Sequence, residues 1–317
     1  MPHVTFILVP GFQSLAYVLA CETLRIANKC AGRPVFTWDT RGLDDGPIQA
    51  SNNSWIAPDR QDWPDPAQAD LVLICAGYDV PVTVPARARA FLARASGHGA
   101  VLGAVDTGTV LLARLGYLNG RAAVVHHEAE ASFREFRPDI DLRDTIFHFD
   151  GRILTAAGGT ATGDAMLAWI AASETPDLAA RCSEAMVHGR VREAGERQRL
   201  LPNTDPVLQE MVSLMHLHME TPLPLSELAA RLGISAKVLR QRCARHLGQT
   251  PADYYLTLRL DTARTLVLDT QMSMTDIGLR CGFGSAAAFS RAFRNYFGSP
   301  PLRFRRQNSR PAAKTRS

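Results

Sequence analysis

Residues 277–301, IGLRCGFGSAAAFSRAFRNYFGSPP, decide how the C-terminal part of this 317-residue chain folds. An earlier stretch, 228–251, LAARLGISAKVLRQRCARHLGQTP, repeats the same pattern. Each copy has a short helical pattern, a glycine, a serine, and then apolar residues at every fourth position. The glycine suits a turn with positive φ, and the serine can accept the free N–H groups at the start of the next helix. The repeat therefore predicts an all-α domain with two helix-turn-helix motifs.

The apolar spacing also indicates which side of each second helix faces solvent. Leu239 and Cys243 in the first copy, and Phe289 and Phe293 in the second, are expected to face the core. On the outer side, Arg and Gln can bond to guanine and adenine edges, and Ala can pack on a thymine methyl group. The residues predicted to contact DNA are Ser235, Lys237, Arg240, Gln241, Ser285, Ala286, Ala287, Ser290, Arg291 and Arg294. A plain αα-hairpin repeat with another purpose is the alternative.

The charge of the chain is divided unevenly between its two halves. Residues 201–317 hold 16 basic and 8 acidic side chains, whereas residues 1–200 hold 19 basic and 23 acidic ones. A basic C-terminal part favours binding to a polyanion such as double-stranded DNA, although a solvated basic surface would give the same count. The arginines expected to bind phosphates or to stay solvated are Arg242, Arg245, Arg294, Arg303, Arg305 and Arg306.

The run from 277 to 301 is similar to the signature of AraC-type transcription regulators. Residues 225–270 resemble the first helix-turn-helix of that family and its connecting helix, here 252–269. The resemblance implies two recognition helices that the connecting helix holds apart. They would enter successive major-groove turns on one face of the DNA, roughly 34 Å apart.

Short apolar stretches alternate with helical patterns in the N-terminal half. Strands are predicted at Val4–Val9, Leu71–Cys75, Ala100–Val105 and Ile153–Ala157. Fully apolar strands between helices indicate an α/β domain with a mostly parallel sheet in flavodoxin-like layers. Ligands bind such sheets beyond the carboxyl ends of the strands.

One strand end resembles a nucleophile elbow, because Asp106-Thr107-Gly108 forms a sharp turn between a strand and a helix. Residues 99–128 are similar to the class I glutamine amidotransferase-like domain of the DJ-1/PfpI group. Enzymes of that group place a Cys at the elbow and a His about twenty residues later. Here His126 matches the His, but Asp106 stands at the Cys position, and a carboxylate is a poor nucleophile for amide chemistry. The resemblance therefore implies a catalytically degenerate, ligand-sensing domain rather than an enzyme.

The predicted ligand-binding residues lie at the strand ends and are Phe12, Tyr78, Asp106, Thr107, His126 and His127. An acidic residue at this edge suits a cationic amine, and aromatic faces suit a quaternary ammonium. Asp106 could instead serve only as the N-cap of the next helix, and the two histidines could be structural. No cofactor and no metal ion are predicted.

The complete arrangement resembles the AraC subfamily with a DJ-1/PfpI-like N-terminal domain. Residues 22–28 and the elbow are similar to members that respond to glycine betaine, carnitine or arginine. The resemblance implies a homodimeric cytoplasmic activator that works with RNA polymerase and responds to a small amino acid or quaternary amine. Retained hydrolase or amidotransferase activity, and a ligand-independent repressor, are the alternatives.

The predicted domain limits follow from these patterns. Residues 1–173 form the sensing domain, 174–208 a linker with a helix, 209–308 the DNA-binding domain and 309–317 a disordered basic tail. No apolar run approaches the roughly 18 residues that a membrane span needs, so no membrane association is expected.

Overall fold

A computed structural model describes residues 1–63, 69–78, 80–188, 191–198 and 205–308. The chain divides into two compact units, Met1–Gln198 and Arg199–Ser317. The first is an α/β domain and the second is helical, which confirms the predicted fold class. The predicted tail, 309–317, lies outside the described residues.

The first unit is built around a six-stranded sheet. Its elements are β1 His3–Leu8, α1 Ser14–Ala31, β2 Thr37–Gly42, β3 Ile48–Gln49, β4 Trp55–Ile56, β5 Leu71–Cys75, α2 Ala86–Gly97, β6 Val101–Val105, α3 Gly108–Arg114, β7 Ala122–Ala123, α4 Glu130–Phe136, β8 Asp141–Leu142, β9 Phe147–Phe149, β10 Ile153–Ala156, α5 Ala161–Ser173 and α6 Pro176–Ala185. The strand order is β2-β1-β5-β6-β10-β9, and only the β9–β10 pair within this sheet is antiparallel. The carboxyl ends of β1, β5, β6 and β10 therefore meet at one edge.

Both faces of the sheet are covered, as the apolar strands require. Every residue of β5 and β6 is buried. Phe6 and Leu73 belong to the core on the side of α1 and α5, whereas Ile7 and Ile74 belong to the core on the side of α2. Helix α6, which lies in the predicted linker, packs on α1 and α5, and the first compact unit extends to Gln198.

The second unit contains α7 Pro206–Leu217, α8 Leu225–Arg231, α9 Ala236–Leu247, α10 Pro251–Asp269, α11 Met274–Arg280, α12 Ala286–Phe297 and α13 Pro301–Asn308. The repeat is present as the pairs α8–α9 and α11–α12. Gly233 and Gly282 take φ values of 67° and 73° in the two turns. The positive φ explains why both copies carry glycine at this position.

Helix α10 connects the two motifs and holds the second one through Arg259. Arg259 donates from Nε to the carbonyl oxygen of Cys281 at 2.6 Å and from Nη2 to that of Gly282 at 2.8 Å. Its guanidinium also lies 4.2 Å from the ring centroid of Phe283. Sequence reasoning missed this residue, because nothing in the local pattern of α10 shows that its side chain reaches a turn more than twenty residues away.

No helix among the described residues is long and apolar enough to cross a membrane.

Candidate functional site

Helix α9 presents the first predicted recognition surface. The Ser235 hydroxyl accepts the N–H of Val238 at 3.3 Å and caps the helix. Lys237, Arg240 and Gln241 are exposed, while Leu239 and Cys243 on the opposite side are completely buried and so anchor the helix to the core. The predicted DNA contacts of this helix thus lie on the side opposite its buried residues.

Helix α12 presents the equivalent surface of the second copy. Ser285 accepts the N–H of Ala288 at 3.2 Å. Ala287, Arg291 and Arg294 are exposed, whereas Ala286 and Ser290 are half-buried. The inner side is held by Phe289 and Phe293, which are fully buried. The helix therefore offers small side chains beside arginines, which suits close approach to base edges.

Two of the arginines expected at phosphates or in solvent are used inside the second unit. Arg305 donates from Nε to the carbonyl oxygen of Val267 at 2.7 Å and from Nη1 to that of Met272 at 2.8 Å. Arg242 forms an ion pair with Asp205 just before α7. The expectation was wrong for Arg305, because its guanidinium supplies donors to carbonyl groups that would otherwise lack them.

In the first unit, Asp106 lies at a strained turn at the end of β6. Its φ is 59°, a left-handed conformation that is uncommon for residues other than glycine. Its N–H donates to the carbonyl oxygen of Ala156 at 2.9 Å, which ties the turn to β10. Helix α3 begins at Gly108 with Thr107 at the N-cap position, and that side chain caps no N–H group. The alternative reading of Asp106 as the N-cap residue is therefore wrong.

Neighbouring strand ends close around Asp106. Gly158, which follows β10, has a φ of 88°, and a Cβ there would lie 3.0 Å from both the Asp106 Cβ and the Gln13 Oε1. Gln13, which follows β1, accepts the N–H of Gly159 on its side-chain oxygen. The Thr107 hydroxyl donates to the carbonyl oxygen of Gly77, which follows β5. Four strands thus bring polar groups and bare backbone together at one point.

The environment of Asp106 changes its acidity. The residue is only 6% exposed, and this burial raises the pKa of its carboxyl group to about 7. The N–H of Thr107 lowers the pKa by less than burial raises it, and the charge of Glu128 adds to the rise. Near neutral pH the carboxyl group therefore exists in both protonation states, and a cation beside it would favour the ionised one.

The other predicted ligand residues differ in how they are placed. Phe12 is 0% exposed and packs edge-to-face on Tyr17 at 5.5 Å, so its predicted role as an aromatic face for a ligand is wrong. Tyr78 is 80% exposed. The ring of His126 lies 4.4 Å from that of His127, and its Nδ1 accepts the N–H of Glu128 at 3.4 Å. His126 thereby caps the short 3-10 helix His127–Ala129.

The thiols of Cys75 and Cys21 both lie in poorly solvated surroundings. Cys75 ends β5 and is completely buried, which raises the pKa of its thiol well above the usual range. Burial likewise raises the pKa of Cys21 to about 12, so neither thiol is activated. Within the described ranges, no group of three or more His, Cys, Asp or Glu side chains could hold a metal ion.

Similarity to known proteins bears out the repeat. The family described as "Helix-turn-helix domain" matches residues 228–307. The HTH-type transcriptional regulator CdhR of Pseudomonas aeruginosa is 37% identical over 301 residues, covering 93% of this chain and 89% of that protein. The chain belongs to the AraC family of helix-turn-helix transcriptional regulators. The regulators GbdR and ArgR of the same organism are 36% and 33% identical, covering 93% and 96% of this chain and 82% and 93% of their own lengths.

Solved structures bear out the fold of the first unit. An AraC family transcriptional regulator from Pseudomonas putida matches 59% of this chain and 100% of its own, with 24% identity and a TM-score of 0.55. Oxidised DJ-1 from Toxoplasma gondii matches 59% of this chain and 98% of its own, with 16% identity and a TM-score of 0.50. The AraC-family chain is thus a DNA-binding transcription regulator with a DJ-1-like first unit, and its named relatives are regulators, not enzymes.

Proposed function

We propose that DNA binding by this regulator responds to a small cationic metabolite, an amino acid or a quaternary amine, bound beside Asp106. The observation that carries the proposal is the buried Asp106 carboxyl group at the edge where four strands end. A cation there would interact with a carboxylate that is poorly screened by water, so the attraction would be stronger than at the surface.

Other groups around the edge complete the proposed site. Thr107 fixes the turn, and the lack of a side chain at Gly158 lets the backbone after β10 approach Asp106 and Gln13 closely. Tyr78 can supply an aromatic face, and His126 and His127 can bond a ligand carboxylate. Phe12 is excluded from this role because it belongs to the core.

The effector proposal is tested by thermal unfolding of the full chain with amino acids, glycine betaine and carnitine. A ligand at 100 times its Kd adds about 2.7 kcal/mol of stability, which raises the Tm of a domain of this size by roughly 5–10 °C. Because the cation favours ionised Asp106, the shift should be larger at pH 8 than at pH 6. Asp106→Asn should abolish the shift, and a panel without any active compound at pH 8 would refute the proposal.

We further propose that Arg240 and Arg291 read bases from α9 and α12. Arg240→Ala or Arg291→Ala should then weaken binding to the preferred DNA by about 1–3 kcal/mol and relax the preference at one base position. Binding to fragments selected from a random library measures both effects. Arg89 is exposed on α2 in the first unit, so Arg89→Ala removes the same charge away from the recognition helices and serves as control. An equal loss on every sequence would assign the arginines to phosphates instead.

We also propose an assembly in which the regulator acts. The subfamily resemblance supports a homodimer that activates transcription with RNA polymerase in the cytoplasm. Effector binding would change DNA affinity by a coupling free energy of typically 1–3 kcal/mol. A reporter gene fused to the regulated promoter tests the activator proposal. Expression that falls or stays unchanged when the effector is added would contradict it.

A further inference from the structure

Residues 191–198 end the first compact unit and are fastened to it, and we call this segment the strap. The carbonyl oxygen of Glu196 accepts the N–H of Ile146 at 2.8 Å. The side chain of Gln198 donates from Nε2 to the carbonyl oxygen of Val125 at 2.8 Å. The strap is therefore bound at its far end to the loops after β7 and before β9.

A buried carboxylate holds the near end of the strap. Asp164 on α5 is 0% exposed, although almost all other residues of that helix are small or apolar. Its Oδ1 lies 2.8 Å from Nε2 of His188 and accepts the backbone N–H of Arg192 at 2.8 Å. Its Oδ2 accepts Nε and Nη2 of Arg192 at 3.0 Å and 2.7 Å. We call Asp164, His188 and Arg192 the clasp.

The clasp lies beside the edge that carries Asp106. Nη2 of Arg192 also donates to the Thr160 hydroxyl at 2.9 Å, and Thr160 directly follows the glycines packed against Asp106 and Gln13. At the other end, Gln198 bonds the residue before His126. The strap is thus attached at two points next to the proposed effector site, so a change there can reach it through adjacent residues.

The strap also determines how much chain is available between the two units. Six residues, 199–204, separate Gln198 from Asp205, whereas sixteen, 189–204, separate His188 from Asp205. At full extension these stretches span about 25 Å and about 60 Å. Release of the whole strap, at the clasp and at Glu196 and Gln198, therefore more than doubles the length of chain between the first unit and Asp205.

We propose that the strap is a releasable tether: the clasp opposes its release, and release lengthens the chain that joins the first unit to the DNA-binding unit. The partner of Asp164 is a bidentate Arg192, whose contacts must break together. Such a contact has two discrete states, held and released, as a regulatory element needs. In the proposed homodimer two DNA-binding units are joined through the first units, so a longer linker changes which spaced DNA sites both units can occupy at once. The proposal requires no effector and can be tested without one.

The test compares Arg192→Ala with Arg197→Ala in the full chain. Both remove an arginine from the strap, but Arg197 is exposed. Hydrogen exchange of the Ile146 amide, which the strap covers, should become at least tenfold faster in Arg192→Ala and stay unchanged in Arg197→Ala. Small-angle X-ray scattering should show a maximum dimension for Arg192→Ala that is roughly 10–30 Å larger than that of the unaltered chain. This increase lies within the length of chain that release of the strap adds.

Two further measurements keep the result interpretable. Exchange in β6 should be the same in all variants, which shows that the first unit stays folded, and Arg192→Lys should give an intermediate rate. In the unaltered chain the Ile146 amide should exchange faster than β6, because release is local. The proposal is overturned if this amide exchanges only as slowly as β6, or if Arg192→Ala behaves like Arg197→Ala.

Discussion

Gly282→Ala should destabilise the second unit far more than Gly233→Ala, although the two glycines occupy equivalent turns of the repeat. Both have positive φ, so each alanine introduces a strain of about 1–2 kcal/mol. A Cβ at Gly233 would meet nothing within 4 Å. A Cβ at Gly282 would lie 2.5 Å from Cγ of Pro222 and 2.6 Å from the carbonyl oxygen of Met219. Relieving that overlap typically adds another 1–3 kcal/mol.

The clash involves backbone that cannot easily move away. Met219 and Pro222 lie between α7 and α8, and the carbonyl oxygen of Gly282 is already bound by Arg259. Displacing the turn would therefore disturb the first motif as well as the second, and DNA affinity should fall with stability.

Urea unfolding followed by far-UV circular dichroism measures the difference between the two variants. The helical content of the second unit should be lost at lower urea in Gly282→Ala than in Gly233→Ala. Binding to a fragment recognised by the unaltered chain supplies the second readout. Equal urea midpoints for the two variants would show that the segment before α8 can shift without a loss of stability.

The repeat illustrates what sequence alone can predict. Glycine at the turn, serine at the cap and apolar residues at every fourth position are local signals, and the structure confirms each of them. The difference between Gly233 and Gly282 is not local. It arises because a segment sixty residues earlier in the chain packs against only one of the two turns.

The first unit shows the same limit. The elbow at Asp106 could be predicted because strand, turn and helix signals follow one another. The side chain of Phe12 could not be placed, since a residue just after a strand can turn either into the core or toward the ligand edge. The strap escaped prediction because Asp164 obtains its partners from His188 and Arg192, more than twenty residues away, and no periodicity marks such a pairing.

Asp106→Asn should stabilise the first unit above pH 7 while removing the effector response. Burial raises the pKa of Asp106 from the ordinary 3.8 to about 7, so the folded protein resists ionising this group. A difference of this size corresponds to up to about 4 kcal/mol. Asparagine has nearly the same shape, stays neutral, and tolerates the left-handed conformation at this turn.

The sign of the pH dependence follows from proton binding. Below pH 3.8 the aspartate is protonated in both the folded and the unfolded chain, so the two proteins should be equally stable. Between pH 3.8 and about 7 the folded chain binds more protons than the unfolded one, and the stability of the unaltered protein falls as pH rises. Above about 7 the advantage of the asparagine variant should be constant.

Asp150 provides a control of opposite sign in the same unit. Burial alone would raise the pKa of Asp150, but the N–H groups of Ile153 and Arg152 and the guanidinium of Arg121 more than offset it, so the pKa lies below its usual range. Its ionised form stabilises the fold above pH 3.8, and that contribution is lost as pH falls through the lowered pKa. Asp150→Asn should therefore be less stable than the unaltered chain at pH 8.

Tryptophan fluorescence during urea unfolding reports on the first unit alone, because Trp38, Trp55, Trp63 and Trp169 all lie there. Asp106→Asn should have a higher free energy of unfolding than the unaltered chain at pH 8 and the same one near pH 4. This result would mean that the carboxyl group of Asp106 lowers the stability of the fold. Such a group is expected where function requires it, since stability and activity conflict at binding sites. A cationic effector would lower the pKa of Asp106 and return the lost stability on binding. A variant that gains no stability at pH 8 would show that water or a neighbouring group already solvates this carboxylate, and the case for a cation there would fail.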